Sequence, residues 1–307
     1  MRILFMGTPD IAASCLERLL AAGMDIVGAV TQPDKPRGRG HKLTPPAVKV
    51  LAQARGIPVF QPVSLKNGEL TPVLETLRPE LIVVVAYGKI LPKTVLDFPK
   101  RGCINMHASL LPKYRGAAPI QWAVINGEKT TGVTTMRMDE GLDTGDMLLS
   151  EALEIGEYET SAELFQRMAE LGGHVLVETI QRLDEIRPIP QDHAKMSYAP
   201  VITKEMGHID WKKPAWAIAK LICGMNSWPL AYTVYKEETI KIHRAVVGGG
   251  AAGVPGELLG YEKGRGLQVR CGEGTLYIQE VQFPGKKKMH IDDYLLGHTL
   301  DMGTILR

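Results

Sequence analysis

Two side chains stand out for the chemistry their spacing allows. Asn105 and His107 are separated by one residue in a short run, Cys103 to His107. If that run is a strand, side chains repeat every two residues. The carboxamide and the imidazole then project from one face. An amide donor beside an imidazole suits polarisation of a carbonyl or stabilisation of an oxyanion. The same spacing also describes a polar strand-end pair satisfied by loop backbone, and spacing alone leaves both readings open. Downstream, Gly141-Leu142-Asp143-Thr144-Gly145-Asp146 offers a carboxylate on a Gly-bracketed loop. By itself the segment reads as a turn. Beside His107, Asp143 would orient the ring and stabilise its cation.

A third feature is electrostatic. Lys35, Arg37, Arg39, Lys42 and Lys49, with His41, fall in a stretch that holds no acid between Lys35 and Lys49. Gly38 and Gly40 flank Arg39. Such a loop can mould itself on phosphates, or it can simply be solvated. The connection from about Gln32 to Pro46 is long for a strand-to-helix link, where roughly 2–6 residues are usual, which favours a contact role.

Elements that would carry these groups can be read from periodicity. Ile3 to Met6, Ile26 to Thr31, Leu81 to Ala86 and Cys103 to His107 read as strands. A helical pattern runs through Ile11, Leu16, Leu19 and Leu20 to a cap at Gly23. This alternation predicts an α/β fold: a Rossmann-like, mainly parallel sheet with helices on both sides. His107 then sits at a strand's C-terminal end, where open α/β sheets bind ligands. Gly132 to Met138 and Met147 to Leu153 read as further strands. A long helix follows, opened by Thr160-Ser161-Ala162-Glu163 in capping-box form and striped by Leu164, Met168, Leu171, Val175 and Leu183. Gly172 and Gly173 weaken it by roughly 1 kcal/mol each relative to alanine. Periodicity is lost from about Glu185 to Pro200. Beyond that, Pro214 to Met225 reads as a helix. Short strands are expected at Leu230 to Tyr235, Thr239 to Val247, Leu267 to Cys271 and Thr275 to Val281. That spacing suggests a smaller C-terminal OB-like β-barrel. The expected division is a catalytic domain over 1–188, a linker over 189–203 and a barrel domain over 204–307.

Composition narrows the class. The chain has 307 residues, with 36 Lys+Arg against 34 Asp+Glu, so net charge is only +2. Residues 1–202 carry 22 basic and 23 acidic groups, net −1, and residues 203–307 carry 14 and 11, net +3. Any nucleic-acid signal is therefore local. Four separated cysteines (Cys15, Cys103, Cys223 and Cys271) give no metal-ligand or disulfide pattern. Leu81 to Ala86, the longest apolar run, is far short of the ~20 residues that span a bilayer. Gly7-Thr8-Pro9 after the first strand is no dinucleotide or phosphate loop. Cys103 reads as a buried small residue rather than a nucleophile. Trp211, Trp216 and Trp228 read as core.

The longer pattern is more specific. Asn105-Met106-His107-Ala108-Ser109-Leu110-Leu111-Pro112-Lys113-Tyr114-Arg115-Gly116-Ala117-Ala118-Pro119-Ile120-Gln121, followed by the 141–146 segment, resembles the signature of the 10-formyltetrahydrofolate-dependent formyltransferases. The resemblance implies Asn105, His107 and Asp143 as the catalytic trio. It implies Ser109, Leu110, Leu111 and Pro112 as a folate-contacting loop. Tyr87-Gly88-Lys89-Ile90-Leu91-Pro92 is similar to the segment whose backbone lines the pterin pocket, with Ile90 and Leu91 as folate contacts. Thr31 to Gly40 resembles the insertion by which members acting on charged initiator tRNA approach its acceptor end. It implies Lys35, Arg37, Arg39 and Lys42 as tRNA contacts. Ile209-Asp210-Trp211, Asn226-Ser227-Trp228-Pro229 and Pro284-Gly285-Lys286-Lys287 extend the likeness over essentially the whole chain. Ser227 stands where the pattern has proline, and Met106 where relatives often carry valine.

The implied activity is formyl transfer from 10-formyltetrahydrofolate, a co-substrate, to the α-amino group of initiator methionyl-tRNA. No metal or bound cofactor is implied, and a cytoplasmic monomer is expected. Glycinamide ribonucleotide and sugar-nucleotide formyltransferases and formyltetrahydrofolate hydrolases share the core motif. A non-catalytic RNA-binding protein is the alternative from another class, and the intact trio speaks against it.

Overall fold

A computed structural model describes residues 1–37 and 42–307. In chain order the elements begin with strand β1 (Arg2–Gly7), helix α1 (Asp10–Ala21), β2 (Asp25–Val30), β3 (Lys35–Arg37) and β4 (Lys42–Thr44). Next come α2 (Ala47–Ala54), β5 (Val59–Phe60), α3 (Thr71–Leu77), β6 (Leu81–Val85), α4 (Lys93–Leu96), β7 (Cys103–His107) and β8 (Arg115–Gly116). These are followed by α5 (Pro119–Ile125), β9 (Thr130–Arg137), β10 (Met147–Glu154), α6 (Ser161–Gln181), β11 (Tyr198–Ala199) and α7 (Ala215–Met225). The chain ends with β12 (Ala231–Tyr235), β13 (Glu238–Gly248), β14 (Leu258–Glu262), β15 (Gly266–Arg270), β16 (Thr275–Gln282), β17 (Met289–His290) and α8 (Ile291–Leu295). They group into two compact units. One gathers residues 1–116, 131–153 and 165–199, and the other 117–130, 154–164 and 200–307.

The first unit is built on a sheet of order β10-β9-β7-β6-β1-β2-β5. The pairs β5–β2, β2–β1, β1–β6 and β6–β7 are parallel, and β9 joins β7 antiparallel. All five residues of β6 and of β7 are buried, as central strands covered on both faces must be. Strand order reverses between β1 and β6, the topological switch at which such sheets open a crevice. There Thr8 Oγ1 and Gln32 Nε2 both donate to the Tyr87 carbonyl, at 3.2 and 3.1 Å. The segment after β6 is fixed further by Lys89, whose Nζ donates to the carbonyls of Pro62 (3.0 Å) and Val63 (2.7 Å).

Helix α6 begins with the expected capping box. Thr160 N donates to Glu163 Oε2 at 2.8 Å, and Glu163 N donates back to Thr160 Oγ1 at 3.2 Å. The Thr160 N–H, and after it the Thr160 hydroxyl, hold the Glu163 carboxyl below its ordinary range. Further along, the helical cost of Gly172 is offset by close packing. A Cβ there would lie 2.7 Å from Met106 Cε of β7. Thr179 Oγ1 of α6 meets Thr135 Oγ1 of β9 at 2.7 Å. One face of β7 and β9 is thus covered by α6, and Asn105 and His107, on alternate residues from Met106, occupy the other.

The expected long loop from Gln32 to Pro46 contains regular structure. β3 and β4 pair antiparallel, with Lys35 opposite Thr44 and Arg37 opposite Lys42. Three-residue strands that include Pro36 give too short a period to be read from sequence.

The second unit is an antiparallel sheet of order β12-β13-β16-β15-β14, with β17 on β16. Its open edges are closed by the last residues. Arg307 exchanges backbone hydrogen bonds with Val234 of β12, while Leu306 N donates to Gly256 O and Leu258 N to Thr304 O. This closure gives the sheet the expected barrel character. Its core holds Trp211, Ile218, Ile242, Val269, Leu276 and Ile278. Two tryptophans differ from the expectation. Trp216 and Trp228 are each 56% exposed. Trp216 falls off the buried stripe of α7 made by Ala215, Ile218, Ala219 and Ile222. Trp228 lies in the turn before β12. Among the described residues, no helix is long and apolar enough to cross a membrane.

Candidate active site

His107 closes β7, opposite Thr134 of β9, and Asn105 lies opposite Met136. The ring of His107 is held through one nitrogen and faces a carboxylate with the other. Its Nε2 lies 2.8 Å from the Tyr114 carbonyl. A carbonyl only accepts, so Nε2 carries the hydrogen. Nδ1 then faces Asp143 Oδ2 at 3.6 Å, too far for a direct hydrogen bond but close for a charge. A proton arriving at Nδ1 would sit beside the carboxylate. The expected pairing of His107 with a carboxylate from a distant loop is therefore present in the fold.

Asn105 is a different kind of group. It is 8% exposed, and among the described residues nothing hydrogen-bonds its carboxamide. Its amide atoms are not among the buried polar atoms left without a partner, so they open to solvent, on the strand face Asn105 shares with His107.

The loop that carries Asp143 is tightly specified. Asp139 Oδ1 accepts from Gly141 N at 3.0 Å and from Thr144 Oγ1 at 2.7 Å. Gly145 passes so close to β9 that a Cβ would lie 1.8 Å from the Arg137 carbonyl. Asp143 itself sits in the left-handed region at φ 53, where Asp is less costly than most residues. Its Oδ2 accepts a hydrogen bond from Gly116 N at 2.9 Å. Residues 114–116 therefore touch both members of the pair: the Tyr114 carbonyl holds the ring, and the Gly116 amide holds the carboxylate.

Residue 115 ties this knot from outside. The Arg115 guanidinium is 3% exposed and donates from Nε (3.0 Å) and Nη2 (2.6 Å) to Gln191 Oε1. Gln191 Nε2 in turn donates to the carbonyls of Asp143 (2.9 Å) and Gly145 (2.7 Å). The sequence reading gave no role to Arg115 or Gln191. A charged residue next to Gly116 was the only signal, and Gln191 sits in a stretch without periodicity.

The other anticipated positions are placed as follows. Ser109 is buried, its hydroxyl donating to Lys113 O at 2.6 Å and its carbonyl accepting from Thr134 Oγ1 at 2.8 Å. It closes the loop instead of offering its hydroxyl outward. Leu110 and Pro112 are half-buried and Leu111 is buried. Of the pair after β6, Ile90 is 75% exposed, while Leu91 is in the core with Met6 and Val95. Only Ile90 of the two presents its side chain outward. Lys35 is exposed on β3, Arg37 and Lys42 lie in the ribbon strands, and Arg39 falls outside the described residues. Lys49 is occupied, with Nζ 2.8 Å from Asp34 Oδ2 and from Gln61 Oε1. A cleft of about 610 Å³ borders the start of the Asp143 loop, lined by Lys93, Asp97, Arg137, Asp139 and Glu140 but by none of the trio.

The four cysteines are free and buried. Burial pushes the thiols of Cys15, Cys103 and Cys271 up to about 12 and that of Cys223 to about 11. None is a nucleophile at neutral pH. Among the described residues, no group of three or more His, Cys, Asp or Glu gathers to hold a metal.

The chain belongs to the formyl transferase family. The formyl transferase model matches residues 1–180, and the formyl transferase C-terminal domain model matches residues 201–299. Among individual proteins, the chain is 51% identical to the methionyl-tRNA formyltransferase of Alkaliphilus oremlandii over 100% of its own length and 99% of the relative's. It is 52% identical to the methionyl-tRNA formyltransferase of Caldanaerobacter subterraneus, with both chains fully covered. Solved structures share the fold at lower identity. An N-formyltransferase from Helicobacter canadensis in complex with folinic acid and dTDP-3-aminofucose aligns with TM-score 0.66 and 20% identity, over 94% of this chain and 99% of that one. HypX from Aquifex aeolicus in complex with tetrahydrofolic acid aligns with TM-score 0.63 and 17% identity over 100% of this chain, which spans about half (51%) of HypX.

Proposed function

We infer that the protein is an enzyme that moves a formyl group from 10-formyltetrahydrofolate to the α-amino group of methionine on initiator tRNA. The observation that carries this reading is the juxtaposition at the end of β7. An imidazole stands 3.6 Å from a carboxylate, on the strand face that carries the Asn105 carboxamide, whose amide atoms open to solvent. Full-length similarity to methionyl-tRNA formyltransferases supports the choice of acceptor.

The neutral amine attacks the formyl carbon, a C–N bond forms, and the carbonyl oxygen becomes an oxyanion. Asn105 donates to that oxygen. The amine's proton passes to His107 Nδ1, the nitrogen left bare by the Nε2–Tyr114 hydrogen bond, and Asp143 stabilises the resulting cation. The proton then reaches N10 of the folate as the C–N10 bond breaks. The products are N-formylmethionyl-tRNA and tetrahydrofolate. Loss of one oxyanion donor of this kind typically costs on the order of 10²–10³ in rate.

Binding is assigned to the loops around this centre. The 109–112 loop (Ser109, Leu110, Leu111, Pro112) and the segment with Ile90 and Leu91 line the folate site, contributing backbone where their side chains turn inward. Lys35, Arg37 and Lys42 of β3 and β4, together with Arg39, engage acceptor-stem phosphates. Functionally, residues 1–188 form the catalytic domain, 189–203 the connection and 204–307 a tRNA-engaging barrel, in a cytoplasmic monomer. The test is an acceptor competition. With 10-formyltetrahydrofolate as donor, the protein is offered charged initiator tRNA or a nucleotide-linked amino-sugar. Transfer to the tRNA is expected, and transfer only to the sugar would overturn the assignment.

A further inference from the structure

The closed ring of contacts behind the His107–Asp143 pair has a consequence for the reaction. Asp143 holds a backbone conformation that few non-glycine residues adopt, at φ 53. Beyond the Asp139 hydrogen bonds within the loop, two groups fix Asp143 in place. Gly116 N grips the side chain through Oδ2, and Gln191 Nε2 grips the backbone through the carbonyls of residues 143 and 145.

Gln191 is suited to that task by chemistry and by place. Its carboxamide presents two N–H donors on one atom and an acceptor on the other. Both donors go to the loop, and the acceptor takes two bonds from Arg115. Arg115 lies between Tyr114 and Gly116, the residues that hold the imidazole and the carboxylate. The segment carrying Gln191 is itself anchored. Ser197 accepts from Tyr114 N through its hydroxyl (2.9 Å) and from Arg115 N through its carbonyl (2.9 Å), and Tyr198 and Ala199 pair with Arg115 and Gly116. One strand-like strap therefore braces the loop that positions the ring and, through a single side chain, the loop that positions the carboxylate.

We propose that Gln191 is a positioning residue for formyl transfer: it fixes Asp143 against His107 by holding the backbone of the 143–145 loop, with Arg115 as its counter-anchor. The kinetic part of this proposal rests on the reaction inferred above. The positional part does not.

Two isosteric or truncated variants separate the possibilities. Gln191→Glu keeps the acceptor for Arg115 but removes both donors to the loop. Gln191→Ala removes both halves. The first readout is independent of activity: hydrogen exchange at the Gly116 amide, which reports the bond to Asp143, referred to the Ile82 to Val84 amides of the core sheet. Both variants should lower Gly116 protection by about tenfold, the scale of one net hydrogen bond, and leave the core amides unchanged. The second readout is steady-state transfer. In both variants kcat should fall by up to about 10²-fold, with KM for folate nearly unchanged, as for misplacement of a catalytic group. In an Asp143→Asn background the same Gln191 substitutions should add little, because the residue they act through has lost its charge.

Unchanged Gly116 exchange in Gln191→Glu would overturn the proposal. So would a kcat loss that adds in full to that of Asp143→Asn. If the wild-type protein transferred no formyl group while Gly116 exchange responded as expected, the reaction reading would fall and the positional role would stand.

Discussion

Asn105 and His107 lie on the same strand face but stand in opposite relations to the rest of the molecule. His107 is enclosed, with a carbonyl on Nε2 and a carboxylate opposite Nδ1. Asn105 is paired in the sheet through its backbone, while its carboxamide makes no hydrogen bond among the described residues and opens to solvent. Truncating Asn105 therefore strands no protein partner. We expect Asn105→Ala to lower unfolding free energy by about 1 kcal/mol, the ordinary cost of a point substitution that strands no partner. We expect its kcat to fall by roughly 10²–10³-fold, the usual cost of an oxyanion donor. Calorimetry and steady-state kinetics on one preparation check both halves. A large loss of stability with activity retained would make Asn105 a structural residue. The pair itself was legible, because a two-residue period in an apolar run fixes the common face. The grip on Asp143 was not. Arg115 and Gln191 are separated by 76 positions, and no local pattern couples them.

At the level of elements, the sequence was readable where segments are long or sharply punctuated. β6 is short but wholly apolar, β7 alternates Asn105 and His107 with apolar residues, and α6 announces itself by Thr160 and Glu163 ahead of a 3.6-residue stripe. Helices α2 to α5, of four to eight residues, are too short for periodicity to accumulate and were not assigned. β14 was missed because it is only partly buried and carries Gly260 at its centre. The start of α6 offers a test. Thr160→Ala should cost about 0.5–1 kcal/mol, the lower part of the capping range for so exposed a site. The Glu163 carboxyl is depressed in the folded state, chiefly by the Thr160 N–H. Its contribution is complete above the unfolded carboxyl value, about 4.3, and fades as pH drops through the lower folded value. The wild-type advantage over Glu163→Gln, measured by urea unfolding, should therefore shrink below about pH 4. An advantage that grew on acidification would contradict the cap.

For the whole molecule, near-neutral net charge hides local organisation. Lys35, Arg37 and Lys42 lie in an antiparallel ribbon between β2 and α2 in chain order. If that ribbon meets acceptor-stem phosphates, Arg39→Ala should raise KM for the tRNA and leave KM for folate unchanged. Raising salt from about 50 to about 200 mM should weaken tRNA use by at least about tenfold. Equal effects on both substrates would remove the ribbon from recognition. Barrel character in the second unit was anticipated from strand spacing, but its closure by residues 304–307 was not, since that segment has no strand-like alternation of its own. The central claim concerns the migrating formyl group, and single-turnover transfer from 10-formyltetrahydrofolate to charged initiator tRNA addresses it most directly. Wild-type protein is compared with a folded His107→Ala variant at saturating substrates. The account predicts rapid formylation by the wild type and a rate at least about 10²-fold lower in the variant. Equal rates in the two proteins, or no formylation by the wild type, would contradict it.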